Sequence, residues 1–207
     1  MSDDPDLDSA YALKTPADSV RLYRAWADSY DRDFASANHY VLPTEVARHF
    51  ALIGGHGPVL DVGAGTGLCA EALTRRGIGP VDGVDISPQM LDTARTKGVY
   101  RDLFVGNILE PLQTSQVYQG AVSSGTFTNG HVGPDGLDPV LAVVRQGGWI
   151  VVSVNALHYA ATGFEAKIKA LGDTITDLSH TEVSIYGPDA TGPHAKDTAF
   201  LVAFRKA

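Results

Sequence analysis

The chain has 207 residues, 44% hydrophobic and 19% charged, which suits one domain with a sizeable buried core. Its formal net charge is −8 and its basic residues are scattered in pairs such as Arg75–Arg76 and Arg205–Lys206, which argues against a nucleic-acid partner needing clustered Lys and Arg. A single cysteine, Cys69, excludes an intrachain disulfide, and the acidic start carries no signal-peptide pattern. No apolar run is long enough to span a bilayer, so the expectation is a cytoplasmic protein without membrane contact.

Residues 1–14 are polar and read as a loose segment; 15–207 read as one domain, with a helical cover over about 15–55. In "TPADSVRLYRAWADSYDRDF", Thr15 suits an N-cap and Pro16 the first helical position, with Val20, Tyr23, Ala27 and Tyr30 along one face. A second helix is predicted in "PTEVARHFALIGG", closed by Gly54–Gly55. From Pro58 the pattern alternates. "PVLDVG", "PVDGVDIS", "RDLFVGN", "GAVSSGTF" and "WIVVSVN" read as strands, and "LCAEALTRRG", "SPQMLDTARTKG" and "GLDPVLAVVRQGG" as helices between them. Short strand–helix alternation predicts parallel strands with right-handed crossovers, hence a doubly wound sheet. After a helix around 163–171, "HTEVSIYG" and "DTAFLVAFRKA" read as an antiparallel pair at the sheet edge. Trp149 reads as core, and Cys69 as a small buried thiol.

The stretch "VLDVGAGTG" places Gly63, Gly65 and Gly67 at alternate positions, two residues after Asp61. Such spacing lets a backbone lie close against a ligand. No Gly-Lys-Ser/Thr follows, which excludes a phosphate loop, and a G-x-G-x-x-G count from Gly63 ends on Leu68 rather than glycine, which disfavours a dinucleotide. S-adenosylmethionine carries no phosphate but has a sulfonium and an ammonium, and Asp61 with backbone carbonyls suits that positive charge. Asp85, ending the next strand, can accept both ribose hydroxyls. Four strand ends carry polar residues: Asp61, Asp85, Asn107 and Ser124.

"VLDVGAGTG", "VDGVDIS" and "VGNILEP", in that order and spacing, resemble successive motifs of the class I S-adenosylmethionine-dependent methyltransferases. More narrowly, "YRAWADSYDRDF" and "SSGTFTNGHVGPDGLDPVL" are similar to the Williams–Beuren-region methyltransferase-like proteins. The resemblance implies a Rossmann-like, mostly parallel seven-stranded α/β sheet with an antiparallel edge strand, and S-adenosylmethionine as cofactor. It implies that Gly63, Gly65 and Gly67 line the methionine portion and Asp85 binds the ribose. Asn107 and Ile108 then flank the adenine, and Tyr30 closes over the donor. Asp61, Ala64, Ile86 and Ser124 complete the expected donor set. Position 107 is usually acidic in this family, so the uncharged Asn107 implies weaker donor binding.

The segment "GTFTNGHVG" follows the fourth strand, where the transferred methyl should point. His131 and Asn129 are therefore the candidate catalytic residues, orienting or deprotonating a small-molecule acceptor. The competing reading is that Asn129–Gly130 makes a turn and His131 caps nearby backbone. Seven histidines show no metal-binding spacing, so no metal is expected. The oligomeric expectation is a monomer or homodimer. The alternatives are an NAD-dependent oxidoreductase and a non-catalytic S-adenosylmethionine-binding protein.

Overall fold

The computed structural model describes residues 16–27, 29–128 and 130–207. The segment 1–14, the proposed cap Thr15 and the candidate catalytic residue Asn129 lie outside the described residues. The sheet has seven strands in the order β3-β2-β1-β4-β5-β7-β6. These are β1 (Val59–Val62), β2 (Val81–Asp85), β3 (Asp102–Val105), β4 (Tyr118–Phe127), β5 (Val144–Asn155), β6 (Ile175–Ser184) and β7 (Thr198–Lys206). Strands β3, β2, β1, β4 and β5 pair in parallel. The antiparallel pair expected at the edge is present, with β7 reversed between β5 and the outermost β6.

Alternation along the strands splits the core between two faces. In β5, Val151 packs on one side while Ile150 and Val152 pack on the other; in β7, Leu201 and Ala203 oppose Val202 and Phe204. Helices α2 (Leu42–Leu52), α3 (Leu68–Thr74) and α4 (Pro88–Thr96) follow the predicted order. Ser87 caps α4, its side chain accepting from the Met90 N–H. Helix α5 (Leu137–Val143) ends earlier than predicted, because Val144 already pairs with Tyr118 across the sheet. A short helix, α6 (Ala156–Ala161), precedes α7 (Phe164–Leu171) and was not foreseen. Its signal is Asn155, whose Oδ1 accepts the Leu157 and His158 N–H groups. Trp149 is half-buried rather than core, with the Arg205 guanidinium 4.5 Å above its ring.

The first predicted helix is broken. Helix α1 covers Pro16–Trp26, and a π-helical turn follows over Asp31–Ser36. The break has a long-range cause. Asp31 receives the Thr66 hydroxyl on Oδ1 and pairs with Lys97 through Oδ2, both at 2.5 Å. The turn also buries Phe34 and Ala35. Helical periodicity encodes none of these contacts. Residues His39–Val41 are further tied to 185–187 by backbone bonds from Val41 N–H to the Ile185 carbonyl and from Gly187 N–H to the His39 carbonyl. The segment 31–41 is thereby pinned at both its ends.

Candidate active site

Strand order reverses direction around β1, which lies between β2 and β4, and ligands in such sheets bind outside the carboxyl ends at that point. A cleft with about 980 Å³ of empty space, its mouth included, opens there. Of the expected donor residues all but Asp61 and Gly67 line it: Tyr30, Gly63, Ala64, Gly65, Asp85, Ile86, Asn107, Ile108 and Ser124, together with His131.

The turn after β1 gives two of the three glycines a direct place in the cleft. Gly63 and Gly65 have φ of +69° and +53°. A Cβ on Gly63 would lie 1.9 Å from Thr126 Oγ1, whereas one on Gly65 would meet nothing within 4 Å and project into open space. Gly67 does not line the cleft. It starts α3 with φ +95° beneath the Tyr100 ring, a packing role rather than the expected ligand contact.

Asp61 and Asp85 lie in the carboxyl-terminal parts of neighbouring strands but have different surroundings. Asp61 is buried, and its Oδ2 accepts the Tyr100 hydroxyl at 2.7 Å. Burial pushes its carboxyl up to about 7, with the Tyr100 hydrogen bond opposing. Asp61 therefore supports the site from behind and does not face the cleft. Asp85 does face it, its Oδ2 accepting the Gly65 N–H and its Oδ1 the Ser87 N–H, both at 2.8 Å. Burial raises its carboxyl, opposed by the Ser87, Gly65 and Ile86 amides. Each oxygen keeps lone-pair capacity for a ligand hydroxyl.

Asn107 Nδ2 donates to Glu110 Oε1 at 3.0 Å, and its Oδ1 accepts the Leu109 N–H at 3.1 Å. The amide orientation is thus fixed before any ligand arrives. Cys69 lines the cleft as a buried free thiol, pushed well up by burial and unsuited to nucleophilic attack.

The His131 loop carries a backbone turn and presents its ring to the cleft. Its backbone makes the turn, with the His131 N–H bonded to the Thr128 carbonyl and Gly130 at φ +76°. The next residue is anchored by His158, whose Nε2 donates to the Val132 carbonyl at 3.0 Å. The His131 ring faces the cleft, and its Nε2 lies 2.8 Å from the Tyr23 hydroxyl of α1. Tyr23 was not among the expected site residues. Its signal was its place seven residues, about two turns, before Tyr30 on the predicted helical face. Tyr40 was missed too; its hydroxyl lies over Gly125, where a Cβ would come within 2.5 Å of it. Burial raises the phenols of Tyr23, Tyr30 and Tyr40, so all three are neutral hydroxyls at physiological pH. Among the described residues no group of three or more His, Cys, Asp or Glu could hold a metal.

No Lys or Arg appears among the described residues lining the cleft, and Asp85 is their one carboxylate. A pyrophosphate would meet no countercharge here. A ligand with hydroxyls for Asp85 and a net positive charge fits. A dinucleotide-binding sheet also runs β3-β2-β1-β4-β5-β6, without the reversed strand inserted before the last position.

Residues 59–148 match the family described as methyltransferase domain. Human methyltransferase-like protein 27 is 30% identical over 158 residues, covering 71% of this chain and 62% of that protein. The chain thus spans about three fifths of that relative's length. Ubiquinone biosynthesis O-methyltransferase of Neisseria meningitidis matches a shorter stretch, 54% identical over 37 residues, covering 18% of this chain and 16% of that one. Among solved structures, a TehB-like S-adenosylmethionine-dependent methyltransferase from Corynebacterium glutamicum superposes with TM-score 0.59, covering 93% of this chain and 100% of that one at 20% identity. An S-adenosylmethionine-dependent methyltransferase from Clostridium acetobutylicum gives 0.60, with 89% and 99% coverage at 14% identity. At these identities the structures speak for the fold. Family and fold together imply S-adenosylmethionine as cofactor. Residues 59–148 thus form a methyltransferase domain, on the fold that these S-adenosylmethionine-dependent methyltransferases share.

Proposed function

We propose that the protein transfers a methyl group from S-adenosylmethionine to a small-molecule acceptor. The observation that carries this reading is the charge of the cleft: a single carboxylate, Asp85, and no Lys or Arg among the described lining residues. In this reading Asp85 accepts the ribose hydroxyls, Asn107 and Ile108 flank the adenine, and the Gly63–Gly65 turn admits the methionine portion. Tyr30 and Tyr40 exclude water from above. S-adenosylmethionine supplies the reactivity when bound, because its methyl sits on a sulfonium, a good leaving group. The protein's task is then alignment of the acceptor at a near-attack distance.

His131 and Tyr23 handle the acceptor's proton. With Nε2 unprotonated, the Tyr23 hydroxyl donates to it across 2.8 Å. An acceptor bonded to the Tyr23 oxygen can pass its proton there while Tyr23 passes its own to Nε2. Asn129 belongs to the same loop and is proposed to assist in orienting the acceptor. The domain is taken to extend over 15–207, and the reading places it in the cytoplasm.

Calorimetry tests the donor claim. S-adenosylhomocysteine should give saturable heat and NAD none. NAD heat at this site, with none from S-adenosylhomocysteine, would overturn the proposal in favour of an oxidoreductase.

A further inference from the structure

Beyond the donor cleft lies a second, smaller chamber with about 530 Å³ of empty space, its mouth included. The two share Tyr23, Tyr30, Tyr40, Gly125 and His131, so these residues form the wall between them. The far side is closed by Phe34, Tyr186, Leu42, Ile185 and Phe127. Ring contacts make this a continuous aromatic shell. Phe34 stacks on Tyr30 with centroids 4.8 Å apart and meets Tyr40 edge-on at 5.2 Å, and Tyr40 reaches Tyr186 at 6.0 Å.

The chamber has a chemical bias. None of the described residues lining it is Asp, Glu, Lys or Arg. Its polar groups are hydroxyls, the His131 ring and the amide of Asn155, and several are already engaged. Ser153 Oγ accepts the Gly125 N–H at 2.9 Å, and Asn155 Oδ1 caps α6. An anionic group entering this space would lose its hydration without meeting a countercharge, which strongly disfavours it. A flat uncharged body would instead meet ring faces on several sides.

We infer that this second chamber is the acceptor site, and that it takes a compact, non-anionic molecule of single-ring size whose O–H or N–H points at the Tyr23–His131 pair. The inference rests on the donor reading above and adds the acceptor's place and class. Gly125 borders both spaces. A side chain there would collide with the Tyr40 hydroxyl, so glycine lets that hydroxyl sit where the two spaces meet.

Ligand-observed NMR tests this on the full chain saturated with S-adenosylhomocysteine, using neutral benzyl alcohol and anionic benzoate as probes of nearly equal size. Benzyl alcohol should bind at least about tenfold tighter than benzoate, and its ring protons should show intermolecular NOEs to Phe34 and Tyr186. Thr128→Trp, which adds bulk to the chamber at a residue outside the donor cleft, should abolish the benzyl alcohol signal and keep S-adenosylhomocysteine heat. Equal affinity for benzoate, absent NOEs in the wild-type protein, or full benzyl alcohol binding in the loaded variant would each overturn the inference. No S-adenosylhomocysteine heat in the wild-type protein would instead overturn the donor reading, so the two failures are distinguishable.

Discussion

Asp85 accepts a hydrogen bond from the Gly65 amide at 2.8 Å, so the carboxylate that ends β2 also holds the glycine turn that follows β1. One side chain thus shapes the cleft and offers it an acceptor. Charge-assisted bonds of this kind contribute about 1.5–3 kcal/mol each. Asp85→Ala should weaken S-adenosylhomocysteine at least about tenfold by calorimetry, with a fall in melting temperature from the loosened turn. Asp85→Asn should lose less, because it keeps one carbonyl oxygen. Unchanged affinity in Asp85→Ala would place the ribose elsewhere.

Gly65→Val and Gly63→Ala should fail in different ways. A Cβ at Gly65 projects into open space, so valine there should block the donor at a backbone strain of about 1–2 kcal/mol. A Cβ at Gly63 collides with Thr126, so even alanine should destabilise the turn. Thermal melts and calorimetry together separate the two. Normal binding by Gly65→Val would move the donor away from this turn.

Restoring an acid at position 107 should not by itself tighten donor binding. The Asn107 amide donates to Glu110 at 3.0 Å, and Asn107→Asp would replace that bond with two facing carboxylates. The double variant Asn107→Asp with Glu110→Gln removes the conflict and should bind more tightly than either single variant. Calorimetry of the three variants reads this directly.

His131→Ala and Tyr23→Phe should leave S-adenosylhomocysteine affinity near wild type. Turnover with an acceptor should fall by roughly 10²–10⁴ for His131→Ala, the usual range for a lost general base. If the pair acts as a relay, the double variant should be little worse than His131→Ala alone. A destabilised but fully active His131→Ala would return this residue to turn-capping alone.

Asp61 predicts a pH dependence of stability. Its carboxyl titrates near 7 when folded, against about 3.9 unfolded. Between these values the native state holds a proton that the unfolded state has released, so this contribution to stability is lost as pH rises from about 4 to 7. Asp61→Asn keeps an acceptor for Tyr100 and removes the titration. The difference in melting temperature between variant and wild type should therefore shift in favour of Asp61→Asn from pH 5 to pH 8. A difference independent of pH would refute the assignment.

The convergence of Gly63, Gly65, Asp85 and Asn107 on one cleft was legible because the parts are local. Gly63 and Gly65 sit in one turn, Asp85 ends the strand that the "VDGVD" pattern marks, and Asn107 follows β3 directly. The parallel alternation brings those strand ends to one edge, so naming them in order was enough to gather them. The reversal near the carboxyl terminus was legible too, since two apolar runs without a helix between them can pair only antiparallel.

What the sequence by itself determined, then, is the chain path and the residues that path carries to the strand ends. Tertiary structure decided which way those residues work. Asp61 and Asp85 look alike in the sequence, yet Asp61 is buried beneath Tyr100, 39 residues away, while Asp85 looks into the cleft. Tyr23 meets His131 across 108 residues, and Tyr40 forms an isolated antiparallel bridge with Tyr186 outside the strands of the sheet. Asp31 reaches Thr66 and Lys97 and breaks a helix that periodicity would have continued. The physical reason is the same in each case. Helical and strand periods report which face a side chain occupies on its own element, and the partner on that face arrives only when another element packs against it.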